Sequence, residues 1–191
     1  MAERYEIVFD FSPYAGKALE LRNLDRAGGI GVDDDYGNTD KVMRFIVGQE
    51  LLGGPDTSVV PQILRDVPFP TDVTQISHHF RFHRSNGEWQ INGVGFTDVE
   101  NRVLANVPRG TTEIWELENS SDGWTHPIHV HLVDFRVLSR TGNRAVMPYE
   151  AEGLKDVVWL GRGETVVVEA HYAPVSLSIE KPWCIYWLIL Y

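Results

Sequence analysis

A two-residue rhythm, broken every few positions by glycine or proline, constrains the fold of this 191-residue chain more than any other feature. Side chains alternate between faces along a β-strand, so apolar residues at every second position mark a half-buried strand. Tyr5, Ile7, Phe9 and Phe11 share one parity, with Glu6 and Asp10 on the other. After a turn at residues 12–16, residues 17–22 repeat the pattern with Leu19 and Leu21 expected inward, and residues 41–47 read as a third strand. Further on, Phe80 and Phe82 alternate with His79, Arg81 and His83. Later strands are expected at residues 89–92, 111–119, 128–138, 156–160 and 164–172. No stretch longer than a turn or two keeps a 3.6-residue period. Many short strands separated by Gly/Pro turns define an all-β sandwich.

The rhythm lapses over residues 49–75, where Pro55, Pro61, Pro68, Pro70 and the Gly53-Gly54 pair fall. Such a window reads as an inter-domain linker. The formal net charge is −10 with no basic cluster. That balance repels phosphate backbones and anionic membranes, which argues against nucleic-acid binding and against acidic partners. The lone cysteine, Cys184, cannot form an internal disulfide. The first residues carry no apolar secretory core, and the apolar run 185–191 is far too short to span a bilayer. No signal peptide and no membrane span are therefore expected in the chain as written.

Three of the seven histidines lie within six residues, in His126-Pro127-Ile128-His129-Val130-His131. On a strand, His129 and His131 face the same way, and His126 faces the other way if the strand already runs through it. Pro127 suits a strand start, since it cannot donate to a ladder. Neutral imidazole is a good copper or zinc ligand. Two histidines could thus share one metal cluster while the third serves another. The bland alternative is a strand whose histidines are merely surface polar residues, and the added proline and the apolar strand that follows weigh against it.

The His-Pro-x-His-x-His spacing resembles the third copper segment of multicopper oxidases. The surrounding stretch 124–138 is similar in particular to fungal bilirubin oxidases, as are residues 5–11, 38–45, 91–96 and 154–159. The resemblance covers roughly residues 2–174. It implies a cupredoxin-like (plastocyanin-like) Greek-key β-sandwich, incomplete at both ends, in a C-terminal fragment of such an oxidase. Residues 1–48 would close the second cupredoxin domain, 49–76 would be the linker, 77–174 the truncated third domain, and 175–191 a tail outside the family. The Val175-Ser176 pair is compatible with an intron start, so translated intron is one origin for that tail.

Carried over by position, His126 resembles a ligand of the type 1 copper, His129 of the type 2 copper and His131 of the type 3 pair. The resemblance implies copper as cofactor, and dioxygen with bilirubin or a phenol as the partners of the intact parent. It also implies an oxidoreductase of a typically secreted family. Its last copper segment, His-Cys-His, is not found here, because Cys184 has no flanking histidine. The chain alone is therefore expected to be inactive, with only partial copper sites.

Other residues have plainer readings. His78, His79, His83 and His171 fit surface or hydrogen-bonded roles, and Glu113, Glu116 and Glu118 the solvated side of a strand. Asn119-Ser120-Ser121 is a glycosylation sequon. Trp124 closes the loop before the histidines. The alternatives to the oxidase reading are a weak copper-binding pseudo-enzyme and a non-catalytic β-sandwich that self-associates through exposed half-domain edges. A cupin would want a glutamate shortly after His131, and only Asp134 precedes Glu150.

Overall fold

The computed structural model describes residues 7–23, 37–49, 57–63, 72–121, 123–131, 133–142, 144–172 and 183–184. Tyr5 and Glu6, most of the 49–76 window and all of the tail except Trp183 and Cys184 lie outside the described residues. The chain divides into two compact units. Arg4–Asp66 is one, and Val67–Tyr191 makes up the bulk of the other.

In the first unit, β1 (Ala18–Arg22) pairs antiparallel with β2 (Lys41–Ile46), Leu19 opposite Phe45 and Leu21 opposite Met43. Leu19 is half-buried, but Leu21 is 47% exposed, against its expected inward placement. Residues 7–11 form no strand. Their alternating aromatics cluster instead: Phe9 meets Phe11 edge-on at 4.8 Å and stacks on Tyr14 at 5.7 Å, and Phe11 reaches Phe45 at 5.2 Å. A 3-10 turn, Ser12–Tyr14, follows with Pro13 in its first turn, where a missing N–H costs nothing.

The second unit is a two-layer β-structure. Its larger layer holds β3 (Ile76–Ser85), β4 (Glu88–Ile91), β5 (Val94–Gly95), β7 (Thr112–Asn119), β9 (Phe135–Arg140) and β11 (Thr165–His171). Their order is β5-β4-β3-β7-β11-β9, with β3 and β7 parallel and every other pair antiparallel. The smaller layer pairs β8 (His126–His129) with β10 (Val157–Leu160). Separately, β6 (Asn106–Val107) pairs with β12 (Trp183–Cys184). One core joins both layers. Phe80 and Phe82 from β3, Trp115 and Leu117 from β7, and Val166 and Val168 from β11 meet Ile128 of β8 and Val158 and Leu160 of β10. The period-2 pattern predicts this inward set, because alternate residues of each strand must share a face.

Two tight hairpins build the β3–β4–β5 edge. Asn86-Gly87 and Asn92-Gly93 each join paired residues, Ser85 to Glu88 and Ile91 to Val94, and all four have positive φ. This matches the two-residue turn whose twist suits flanking strands. Asn92 also extends the ladder. Its side-chain amide donates to the His79 carbonyl (2.7 Å), and its Oδ1 accepts from the Arg81 N–H (2.8 Å).

The single strand expected over residues 128–138 is two strands, because the chain changes layers. β8 pairs with β10, whereas β9 pairs with β11 in the large sheet. One helical turn, α1 (Pro148–Ala151), follows β9, with Pro148 in its first turn and Glu150 accepting from the Met147 N–H (3.1 Å).

A buried ion cluster ties this turn to β9 and β10. The Arg140 side chain is fully buried and contacts Glu150 at 2.5 Å and 3.2 Å and Glu164 at 2.9 Å. Arg140 and Arg144 both donate to the Trp159 carbonyl, at 2.8 Å and 2.9 Å. Pro127, the cross-strand partner of Trp159, has no N–H to offer that carbonyl.

Candidate metal centre

Strand β8 and the two residues that follow it sort the three histidines by face. His126 is 4% exposed and shares the inward side with the buried Ile128 and Val130, while His129 is half-buried and His131 exposed. The rings of His129 and His131 lie edge to face, 4.8 Å between centroids. The alternation read from the sequence therefore runs through His126 despite Pro127, which sits inside the strand opposite Trp159.

Each of the first two rings has one nitrogen committed to an oxygen. His129 Nδ1 lies 2.7 Å from the Asp156 main-chain carbonyl, an obligate acceptor, so Nδ1 carries the proton and donates. In the neutral ring this leaves Nε2 as the lone-pair nitrogen. The β8–β10 ladder, with Val157 opposite His129, holds Asp156 in place for this contact. His126 Nε2 lies 2.9 Å from Ser121 Oγ, and Trp89 packs edge-on to the His126 ring at 4.8 Å. Burial holds the His126 ring below the ordinary histidine range, so the imidazole stays neutral. Trp89 also meets the 53%-exposed Trp124 edge-on at 5.6 Å, and the Arg84 guanidinium lies over the Trp89 ring at 5.6 Å.

Neutral imidazoles with one nitrogen anchored and the other bearing a lone pair fit a copper ion as individual ligands. They do not close a site by themselves. Among the described residues no three His, Cys, Asp or Glu side chains gather closely enough to hold one ion.

Three of the other four histidines find partners of their own, and His83 Nδ1 is buried without a hydrogen bond. His79 Nδ1 contacts Glu116 at 2.9 Å, His171 Nδ1 contacts Thr112 Oγ1 at 2.9 Å, and His78 approaches Glu113 at 3.4 Å. Glu113 departs from its expected solvated placement. It is 9% exposed on the same face as Trp115, whose indole N–H donates to it at 2.7 Å. That bond offsets the cost of burying the carboxylate. Asn119 of the sequon is 1% exposed, with its amide donating to the Trp124 and Gly161 carbonyls at 2.8 Å and 2.9 Å. Its sequence signature is that of an acceptor for sugar, but its side chain is an interior crosslink. Ser121 lies in the sequon and Asp156 in the 154–159 stretch, but neither pattern points to the histidines, and the assembled fold brings them there.

A mostly β two-layer unit with a histidine-bearing strand in its smaller layer has the architecture of a cupredoxin. Solved structures agree. McoA multicopper oxidase from Aquifex aeolicus matches with a TM-score of 0.68 at 22% identity, covering 87% of this chain and 36% of that one. The family model for multicopper oxidase matches residues 68–177. The chain belongs to the multicopper oxidase family, whose metal is copper. It is 68% identical over 178 residues to a bilirubin oxidase from Albifimbria verrucaria, covering 91% of this chain and 31% of that protein. It is 31% identical over 196 residues to a laccase from Bacillus subtilis, covering 92% of this chain and 37% of that one. The chain thus spans about a third of the length of these curated relatives.

Proposed function

We propose that this chain supplies the third copper segment of an oxidase that oxidises bilirubin or a phenol and reduces dioxygen to water. In this reading His126 serves the copper that accepts electrons from substrate, and His129 and His131 serve the cluster that reduces dioxygen. Residues 77–174 are read as the third cupredoxin domain, and 1–48 as the end of the second. The observation that carries the reading is the division of β8 into two faces. One neutral imidazole is turned inward beside Trp89, and two adjacent rings are turned the other way. A strand dividing surface polar residues from core would not bury His126. Bilirubin as substrate is supported by the 68% identity to a bilirubin oxidase.

Copper, when bound, supplies one-electron redox chemistry that no side chain here can perform. The chain's own contribution is to hold neutral imidazoles at fixed orientation: the Asp156 carbonyl orients His129, and the β8–β10 ladder sets the spacing between the two faces. The cysteine of the chain, Cys184, has no neighbouring histidine in sequence, so the soft thiolate that tunes a blue copper must come from elsewhere. The chain on its own is therefore read as inactive. Adding Cu(II) to the full 191-residue chain should give weak, chelator-sensitive binding with no intense blue band and no bilirubin or phenol oxidation. An intense blue band with turnover would overturn this reading, as would copper binding indifferent to replacement of all three histidines.

A further inference from the structure

We propose that Ser121, held by Asn119, is a positioning residue that fixes the proton on His126 Nε2 and leaves Nδ1 as the copper-facing nitrogen. The inference rests on reading His126 as a copper ligand and deepens it.

Counting donors and acceptors fixes where the protons lie. Asn119 is buried, and its two closest amide contacts from Nδ2 are both main-chain carbonyls, those of Trp124 and Gly161. Carbonyls only accept, so the nitrogen of the amide must face them, and the oxygen faces Ser121. That oxygen takes the Ser121 main-chain N–H at 3.0 Å and lies 2.5 Å from Ser121 Oγ. A carboxamide oxygen has no proton to give, so the single hydroxyl proton of Ser121 is spent on it. Ser121 Oγ is left with lone pairs alone toward His126, 2.9 Å away. The remaining way to satisfy that contact is for His126 Nε2 to carry a proton and donate it. Nδ1 is then unprotonated. Ser121 is itself 4% exposed, so water does not compete for this hydroxyl.

The relay also ties the ring to the fold. Asn119 ends β7, Trp124 precedes β8, and Gly161 follows β10. One side chain therefore links the strand that carries His126, its ladder partner and the large sheet. Ser121 passes that restraint to the imidazole.

The test uses the full chain and the variants S121A, S121T and H126A. In the metal-free wild type, nitrogen-15 spectra of the imidazoles should show His126 protonated at Nε2, with a ring N–H protected from exchange. S121A should lose that protected signal, and its Cu(II) affinity should fall about tenfold, the scale seen when an outer-shell partner of a ligand is removed. S121T keeps a hydroxyl and should restore both. A retained N–H signal in S121A, or a wild-type ring protonated at Nδ1, would overturn the inference while leaving the ligand reading intact. Unchanged copper affinity in H126A would overturn the ligand reading, and the inference with it.

Discussion

Replacing Arg140 with methionine should destabilise the second unit by about 3–5 kcal/mol, the scale of breaking a buried ion pair from one side. The size follows from what is left behind. Arg140 is the guanidinium that Glu150 faces at 2.5 Å and 3.2 Å, and without it the carboxylate, 2% exposed, keeps the Met147 N–H at 3.1 Å. Glu164 fares better, because Arg144 at 3.4 Å and the Gly161 N–H at 2.6 Å remain. Most of the cost therefore sits on one stranded carboxylate. The expected fall in melting temperature is roughly 10–20 °C for a unit of this size. The informative assay is a cycle of R140M, E150L and the double variant in denaturant melts. Removing Glu150 as well takes away the stranded charge, so the double variant should recover at least about 2 kcal/mol relative to R140M. An R140M cost below about 1 kcal/mol, or a double variant whose cost equals the sum of the two singles, would refute the stranded-charge account.

The raised proton affinity of Glu169 gives a pH test. Burial is the main cause, Arg136 opposes it and Asp72 adds to it. A carboxyl that holds its proton more tightly when folded costs stability as pH rises from about 4.5, where the unfolded chain already releases it. E169Q should therefore raise the denaturation midpoint at pH 7 and change it little at pH 4; a larger gain at pH 4 would contradict the sign. Asn92 offers a local test. N92A loses two hydrogen bonds to β3 and, at φ 54°, the short polar side chain that lets asparagine tolerate the left-handed region, for about 2–4 kcal/mol together. The Arg81 amide, its direct partner, should lose exchange protection first, and N92G should restore the turn without restoring that protection.

Alternation was a sound guide wherever both faces of a strand meet different surroundings. Phe80 and Phe82 go inward while His79 and Arg81 stay exposed, and the 164–172 stretch becomes β11 with Val166 and Val168 in the core. It misled at residues 7–11, where the same pattern builds an aromatic cluster with Tyr14 and Phe45, since rings can find one another without a ladder. It also merges β8 with β9, because no glycine or proline marks the layer change between Val130 and Phe135. The paired Asn-Gly turns at 86–87 and 92–93 are sequence signals for the β4 and β5 hairpins. Glu113 belongs in solvent by residue type, but its parity with Trp115 and Leu117 places it inward.

The histidine segment shows why part of a site can be read from sequence and part cannot. Facing is local: a strand period and three residue types give it, and His126 accordingly parts from His129 and His131. Tautomer is not local, because it depends on what sits beyond the other ring nitrogen. For His129 that is a carbonyl twenty-seven residues away in sequence, and for His126 a hydroxyl five residues back. Even the near one is hidden in the sequence, since Asn119-Ser120-Ser121 has the pattern of a sequon while the buried Asn119 is an interior crosslink. A metal ligand is defined by a free lone pair, and a free lone pair is defined by where the ring's proton is held. The sequence names the imidazoles, and the packing of β7, β8 and β10 around Asn119, Ser121 and Asp156 decides which of their nitrogens can bind.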